Sequence, residues 1–181
     1  MKILFASDLH GSLFYCNELL NIVKREQPEK IVLLGDLLYH GPRNPLPKEY
    51  NPQKVFEILN TLKEKIICVR GNCDSEVDQM VLEFPIMADY CILNVDNINL
   101  FLTHGHLYNK ESMPNIEDND ILIHGHTHIN IIEKLEKGTY INPGSISMPK
   151  ENQENSYMIY ENKKFTIKNI EGKELNSLNL A

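Results

Sequence analysis

Five short apolar runs in this chain each break off into a carboxylate, an amide or an imidazole. "KILFA" runs into Ser7, Asp8 and His10, "KIVLLG" into Asp36, "KIICVRG" into Asn72, "INLFLT" into His104, and "DILIHG" into His126 and His128. Runs this short, rich in Ile, Leu and Val and closed by polar or glycine-containing turns, read as buried β-strands rather than helices. A chain with several such strands must gather them into sheets. The polar residues that follow then collect wherever the strand ends point.

Between the first strands the pattern turns helical. "SLFYCNELLNIVKRE" places Cys16, Leu19, Leu20 and Val23 at helical spacing, with Ser12 as N-cap and Pro28 beyond the end. The Pro-rich loop "HGPRNPLPKEYNP" leads to a second helix from near Pro52, with Val55, Phe56, Leu59 and Leu62 on one face. Strands alternating with helices imply βαβ crossovers and a largely parallel sheet in the N-terminal half.

After about residue 86 the chain becomes strand-rich. It shows a hairpin turning at Asp96 and Asn97, a turn at Gly138, and "SYMIY" pairing with "KFTIKNI" across "ENKK". This half is expected to be mostly antiparallel, giving two sheets packed face to face with helices outside. At 181 residues, 42% of them hydrophobic, the chain suits one domain spanning residues 1–181.

Several function classes are disfavoured. A formal charge of −7 without clustered Lys and Arg argues against general nucleic-acid binding. No stretch approaches eighteen apolar residues, so no membrane partner is expected, and "MKILFASDLHG" reads as a first strand rather than a signal peptide. Cys16, Cys68, Cys73 and Cys91 form no C-x-x-C pair, which suggests reduced thiols in a cytoplasmic protein.

The polar residues make chemical sense as a cation site. In extended chain, period-two spacing sends Asp8 and His10 to one side, and likewise His126 and His128. Carboxylate, amide oxygen and imidazole form a mixed set suited to Mn²⁺, Fe²⁺ or Zn²⁺ rather than Ca²⁺. Seven candidates exceed one tetrahedral ion but suit two ions roughly 3.5 to 4 Å apart, a spacing that clamps both oxygens of an in-line phosphoryl displacement. Asp36, alone on its strand end, is the choice for a bridging carboxylate. Any one of these residues alone would read as a cap or surface group, and only their convergence carries the site.

In order, "DLH", "GD", "GNCD", "THGH" and "GHTH" across residues 8 to 128 resemble the motif set of the calcineurin-like metallophosphoesterases. The length, the loop "HGPRNPLP" and the cysteine in "GNCD" bring the chain nearest the small bacterial and archaeal YfcE-type phosphodiesterases. The resemblance implies a four-layer α/β sandwich, two mixed sheets flanked by helices, with a dinuclear centre of divalent ions. Mn²⁺ is the first choice, with Zn²⁺, Fe²⁺ or Ni²⁺ as alternatives.

By the same resemblance Asp8, His10, Asp36 and His128 hold one metal, and Asp36, Asn72, His104 and His126 the other. A hydroxide between them attacks phosphorus without a covalent enzyme intermediate. Asp36, Asn72, Cys73 and His104 are the expected catalytic residues. Cys73, His40, Arg43 and His106 are the candidate substrate contacts, guanidinium being well matched to phosphate.

His124 is read as an orienting or packing residue, Asp74 as either an orienting group or the start of the next segment, and Cys68 and Cys91 as small hydrophobes. Many relatives carry a histidine in place of Cys73, thought to assist leaving-group departure. A thiol donates hydrogen bonds poorly and lacks an imidazolium's charge. The expected activity is therefore hydrolysis of small phosphodiesters, weak on monoesters. The alternatives are a non-catalytic metal-binding interaction module of the same fold and a nuclease, and a homo-oligomer is left open.

Overall fold

The first strand, β1 (Ile3–Ala6), sits inside a sheet and faces two different cores. Leu4 and Ala6 point into a core shared with the helices, while Ile3 and Phe5 point the other way, toward a second sheet. A strand buried on both faces reads as a continuous apolar run, and for that reason "ILFA" lacks alternation. The computed structural model describes residues 1–180.

After β1 come α1 (Leu13–Glu26), β2 (Lys30–Leu33), α2 (Pro52–Asn60), β3 (Ile66–Cys68) and the short α3 (Glu76–Gln79). The remainder is β4 (Tyr90–Val95), β5 (Ile98–Thr103), β6 (Ile121–Ile123), β7 (Asn130–Lys134), β8 (Thr139–Pro143), β9 (Ser156–Glu161), β10 (Lys164–Asn169) and β11 (Glu174–Asn179). One sheet runs β11-β10-β9-β1-β2-β3, the other β4-β5-β6-β8-β7. No helix among the described residues is long and apolar enough to cross a membrane.

The helices begin where their caps dictate. The Ser12 hydroxyl accepts from the Tyr15 N–H at 3.3 Å and donates to the Lys48 carbonyl at 2.6 Å, tying the start of α1 to the loop before α2. Asn51 accepts from the Lys54 N–H at 3.1 Å, with Pro52 in the first turn of α2. Caps of this kind are worth about 1 kcal/mol each. Cys16, Leu19 and Ile22 are fully buried on α1, whereas Leu20 and Val23 are only partly so. On α2, Val55 and Leu59 are buried, and Leu62 packs on the same core from beyond the helix end.

The parallel β1-β2-β3 unit is present, joined by antiparallel β9, β10 and β11. The second sheet is more mixed than an antiparallel reading expects. β4 pairs antiparallel with β5 through a turn at Asp96 (φ 51°) and Asn97 (φ 64°), and β7 with β8, but β6 lies parallel to both β5 and β8. Residues 104–120 supply a connection long enough for a parallel crossover, which no two-residue hairpin can make. That segment also forms the outer layer on this side. Ile116 and Tyr108 pack over Phe101, Leu122 and Tyr140 where the resemblance suggested helices. The helices α1 and α2 belong to the other side, against the six-stranded sheet.

Candidate metal centre

Each strand end turns sharply as it delivers its polar residues. Asp8 (φ 58°), His10 (φ 52°), Asp36 (φ 57°), His126 (φ 65°) and His128 (φ 62°) all have left-handed backbone. The pleat of a strand, expected from period-two spacing to send these pairs one way, does not orient them. Asp8 and His10 lie beyond β1, and His126 and His128 beyond β6, so they face one site through kinks rather than through the pleat of a strand. Left-handed conformations at non-glycine residues cost energy and persist only when surrounding bonds hold them. Here they do: the His10 N–H donates to the Asp36 carbonyl at 2.9 Å, and the His126 N–H to the Asp8 carboxylate at 3.0 Å.

Close approach between these loops requires glycine at two points. A Cβ at Gly71 would run into the carboxylate and N–H of Asp36, and one at Gly125 into Ser7 and the Asp8 carboxylate.

Three imidazoles are held by backbone carbonyls through Nδ1. His10 donates to the Tyr39 carbonyl at 2.8 Å, His104 to the Leu34 carbonyl at 2.7 Å, and His128 to the Met148 carbonyl at 2.6 Å. With Nδ1 as donor, a neutral ring presents its Nε2 lone pair to the site, the tautomer a metal needs. His126 differs, because its Nδ1 is the atom that faces the site, 3.2 Å from His104 Nε2.

The donors fall into two groups that meet at one carboxylate. In the first, Asp8 Oδ1 lies 3.3 Å from His128 Nε2 and 3.7 Å from His10 Nε2. The two ring nitrogens are 3.3 Å apart. In the second, His104 Nε2 lies 3.1 Å from Asn72 Oδ1. Asp36 Oδ2 lies 3.7 Å from His10 Nε2 and 3.4 Å from His104 Nε2, while its Oδ1 accepts from the Cys73 N–H at 2.8 Å.

Asp8 Oδ1 is fully buried yet accepts no hydrogen bond. An orphaned buried carboxylate oxygen among imidazole lone pairs is the arrangement a divalent cation satisfies, so the residues fit a metal. Asp8, His10 and His128 converge closely enough to share an ion, as do Asp8, Asp36 and His104.

The carboxylates draw positive charge to this place, onto a ring where no cation is bound. Burial would raise the Asp8 and Asp36 carboxyls, but the surrounding imidazoles outweigh it and hold both below the usual carboxylate range. Burial pulls His104 down, and Asp36 and Asp8 overcome it, bringing His104 up to about 9. His126 is pushed down to about 4 by burial and the charge of His104. Two buried carboxylates demand positive charge at this place.

Asp74 serves the loops rather than α3, whose cap is Ser75. Its carboxylate accepts from the backbone N–H groups of Gly71, Asp36 and Leu37 at 2.7, 2.8 and 2.9 Å, locking the turn after β2 to the turn after β3. Cys73 stands at the cavity wall. Burial, with Asp36 alongside, pushes its thiol up to about 12, so without a bound cation it is not a thiolate nucleophile at neutral pH, and it lies close enough to His10 and Asp36 to join them around an ion. The Asn72 amide donates to Cys73 Sγ at 3.3 Å, which aims the Asn72 carbonyl oxygen at His104.

A cavity of about 490 Å³ opens over these groups, with His10, Asp36, Asn72, Cys73, His126 and His128 in its wall and Arg43 and Lys150 among its charged lining. The remaining candidates lie elsewhere. His40 is packed edge-on between the rings of Tyr39 (4.8 Å) and Tyr50 (5.3 Å) and does not line this cavity. His106 sits behind His104, ring centroids 5.4 Å apart, and likewise lines none of it. His124 is buried against Tyr140 (4.5 Å, 25°) and donates to the Gly125 carbonyl at 3.0 Å, a packing role. Cys68 is buried at the end of β3, and Cys91 is half-buried in β4.

Sequence reasoning missed the support from "NPGSISMPK". Ser145 and Ser147 both donate to the Asp8 carbonyl, at 2.9 and 2.7 Å, and the same loop supplies the Met148 carbonyl and Lys150. Its only signal was a Gly-, Ser- and Pro-rich turn after a strand, with no ligand-type residue.

This geometry and fold define a phosphoesterase class. The family model described as the calcineurin-like phosphoesterase superfamily domain matches residues 1–164, and the chain belongs to that superfamily. It is 48% identical over 162 residues to Phosphodiesterase YfcE of Escherichia coli K12, covering 90% of this chain and 88% of that protein. A phosphodiesterase of Methanocaldococcus jannaschii is 30% identical over 152 residues, covering 80% and 83% respectively. The solved structure of YfcE, a phosphoesterase from E. coli, superposes with a TM-score of 0.97 over 100% of both chains at 42% identity.

Proposed function

We propose that this protein hydrolyses small phosphodiesters as a single domain and acts only weakly on phosphomonoesters. The observation that carries the reading is the placement of Asp36 Oδ2 between His10 on one side and His104 on the other. Asp8, His10, Asp36 and His128 would hold one divalent ion, and Asp36, Asn72, His104 and His126 a second, with Mn²⁺ the first choice. Two such ions supply Lewis acidity toward the phosphoryl oxygens and a water of lowered pKa.

The chain's own groups do the rest. Backbone carbonyls fix the tautomers of His10, His104 and His128, so the donors are set before substrate arrives. Arg43 and Lys150 provide positive charge in the cavity for an anionic diester. Cys73, as a neutral thiol, is a poor proton donor to a departing alkoxide, so leaving groups that depart without protonation are favoured. A cavity with two cations in its lining suits a small diester better than a nucleic-acid strand. Four free cysteines accord with a reducing, cytoplasmic setting.

The test is a comparison of bis-para-nitrophenyl phosphate with para-nitrophenyl phosphate after reconstitution with Mn²⁺. The reading expects kcat/KM at least about tenfold higher for the diester, a difference of about 1.4 kcal/mol in barrier. Equal rates would contradict it.

A further inference from the structure

The Cys73 wall of the metal cavity is shared. Cys73 also lines a neighbouring groove of about 430 Å³, walled by Leu38, Tyr39, Tyr50, Phe56, Val77 and Val81. That volume lies in the range of small-molecule sites, about 300 to 1,000 Å³. The groove is built from the turn after β2, the start of α2, and α3 with the residue segment that follows it.

The two cavities differ in chemistry. Beside the metal ligands the lining is polar and charged, whereas the groove is aromatic and aliphatic. Its one charged residue is Asp78, whose carboxylate is already engaged by the Ser75 N–H at 2.8 Å and hydroxyl at 3.0 Å. No lysine or arginine lines it. Tyr39 (41% exposed), Val77 (69%) and Val81 (37%) show apolar surface here that no core uses.

We propose that this groove seats the leaving arm of the diester and that the preferred substrates carry an apolar, aryl-type arm there. The proposal rests on the diesterase reading above and adds the chemistry of one substituent. A diester anchored by its phosphoryl group at the metal ligands has two arms to place, and the groove on the other side of Cys73 offers one of them an apolar wall. Cys73 is the residue the two walls have in common, so it stands at the boundary between them. An aryl oxide leaves without protonation, which matches a wall that offers only a thiol. A nucleotide arm carrying further phosphate finds no cation in the groove.

The test measures binding, with the steady heat of any turnover of the diester subtracted as baseline from each titration. Diphenyl phosphate and inorganic phosphate are titrated by calorimetry into the Mn²⁺-loaded protein and into Val77→Glu and Val81→Glu, both at exposed positions and each checked for wild-type circular dichroism. Each carboxylate places uncompensated charge where the ring is to sit. The expected result is that diphenyl phosphate weakens about tenfold or more while inorganic phosphate, which has no arm, stays within about twofold. Val81→Ile keeps the wild-type affinity for both. Unchanged affinity for diphenyl phosphate in both glutamate variants, or equal loss for both ligands, would overturn the proposal. A wild-type protein that fails to hydrolyse any diester yet shows the selective loss would contradict the diesterase reading and leave the groove standing.

Discussion

The carboxylate of Asp74 accepts the backbone N–H of Asp36 at 2.8 Å, and the same oxygen takes the Gly71 N–H at 2.7 Å. One buried side chain therefore sets the distance between the turn carrying Asp36 and the turn carrying Asn72. Replacing it with alanine leaves three buried N–H groups without their acceptor, at a cost of about 1 to 3 kcal/mol for each that stays dry. We expect Asp74→Ala to lose roughly 10- to 100-fold in metal affinity, as loss of an orienting partner does. Mn²⁺ titration of the variant beside wild type, with urea denaturation for stability, checks both effects.

Gly71→Ala is the complementary change. The added methyl group meets the Asp36 carboxylate and backbone nitrogen, so the loop must shift at the point where the two donor groups meet. Metal content and diester hydrolysis should fall together while far-ultraviolet circular dichroism keeps its wild-type shape. A variant with full metal content would show that the loops tolerate separation.

Cys73→His tests the role of the thiol. Imidazolium can protonate a departing alkoxide, and general acids contribute about 10²- to 10⁴-fold where they act. The ratio of monoester to diester hydrolysis should rise at least about tenfold in Cys73→His, and stay within a few-fold of wild type in Cys73→Ser. An unchanged ratio would place the exclusion of monoesters elsewhere.

Much of this was readable in advance, and the parts that were not have physical causes. The strand ends pointed to the seven proposed donors because each apolar run stops at a residue type that has little reason to follow a buried strand otherwise. What set their direction was not legible. Left-handed backbone at Asp8, His10 and His128 depends on hydrogen bonds to Gly35, Asp36 and other distant residues, which no local pattern records. Ser145 and Ser147 were invisible for the same reason, since their partner, the Asp8 carbonyl, is far away in sequence. The outer layer over Phe101 and Tyr140 escaped notice because residues 104–120 have no helical or strand period to read.

Away from the site, Glu26 on α1 offers a check on the packing of the helix layer. It accepts from the Tyr157 hydroxyl at 2.7 Å and from Lys168 at 2.9 Å. Burial raises its pKa, but these two donors outweigh that and hold it below the ordinary value of 4.5. Because the folded-state value is depressed, the stabilisation is present above 4.5 and is lost as pH falls through the folded value. Glu26→Gln should thus cost about 1 to 3 kcal/mol at pH 7 and progressively less in acid. Thermal melts of both proteins between pH 7 and pH 3 give the comparison.

The central claim is that Asp36 joins two metal sites. Elemental analysis and bis-para-nitrophenyl phosphate hydrolysis of Mn²⁺-reconstituted wild type and Asp36→Asn test it directly. The account predicts about two equivalents of metal per chain in wild type, as a two-metal site requires. In Asp36→Asn it predicts one or fewer, with activity reduced at least about a hundredfold. Two equivalents with undiminished hydrolysis in Asp36→Asn would contradict it.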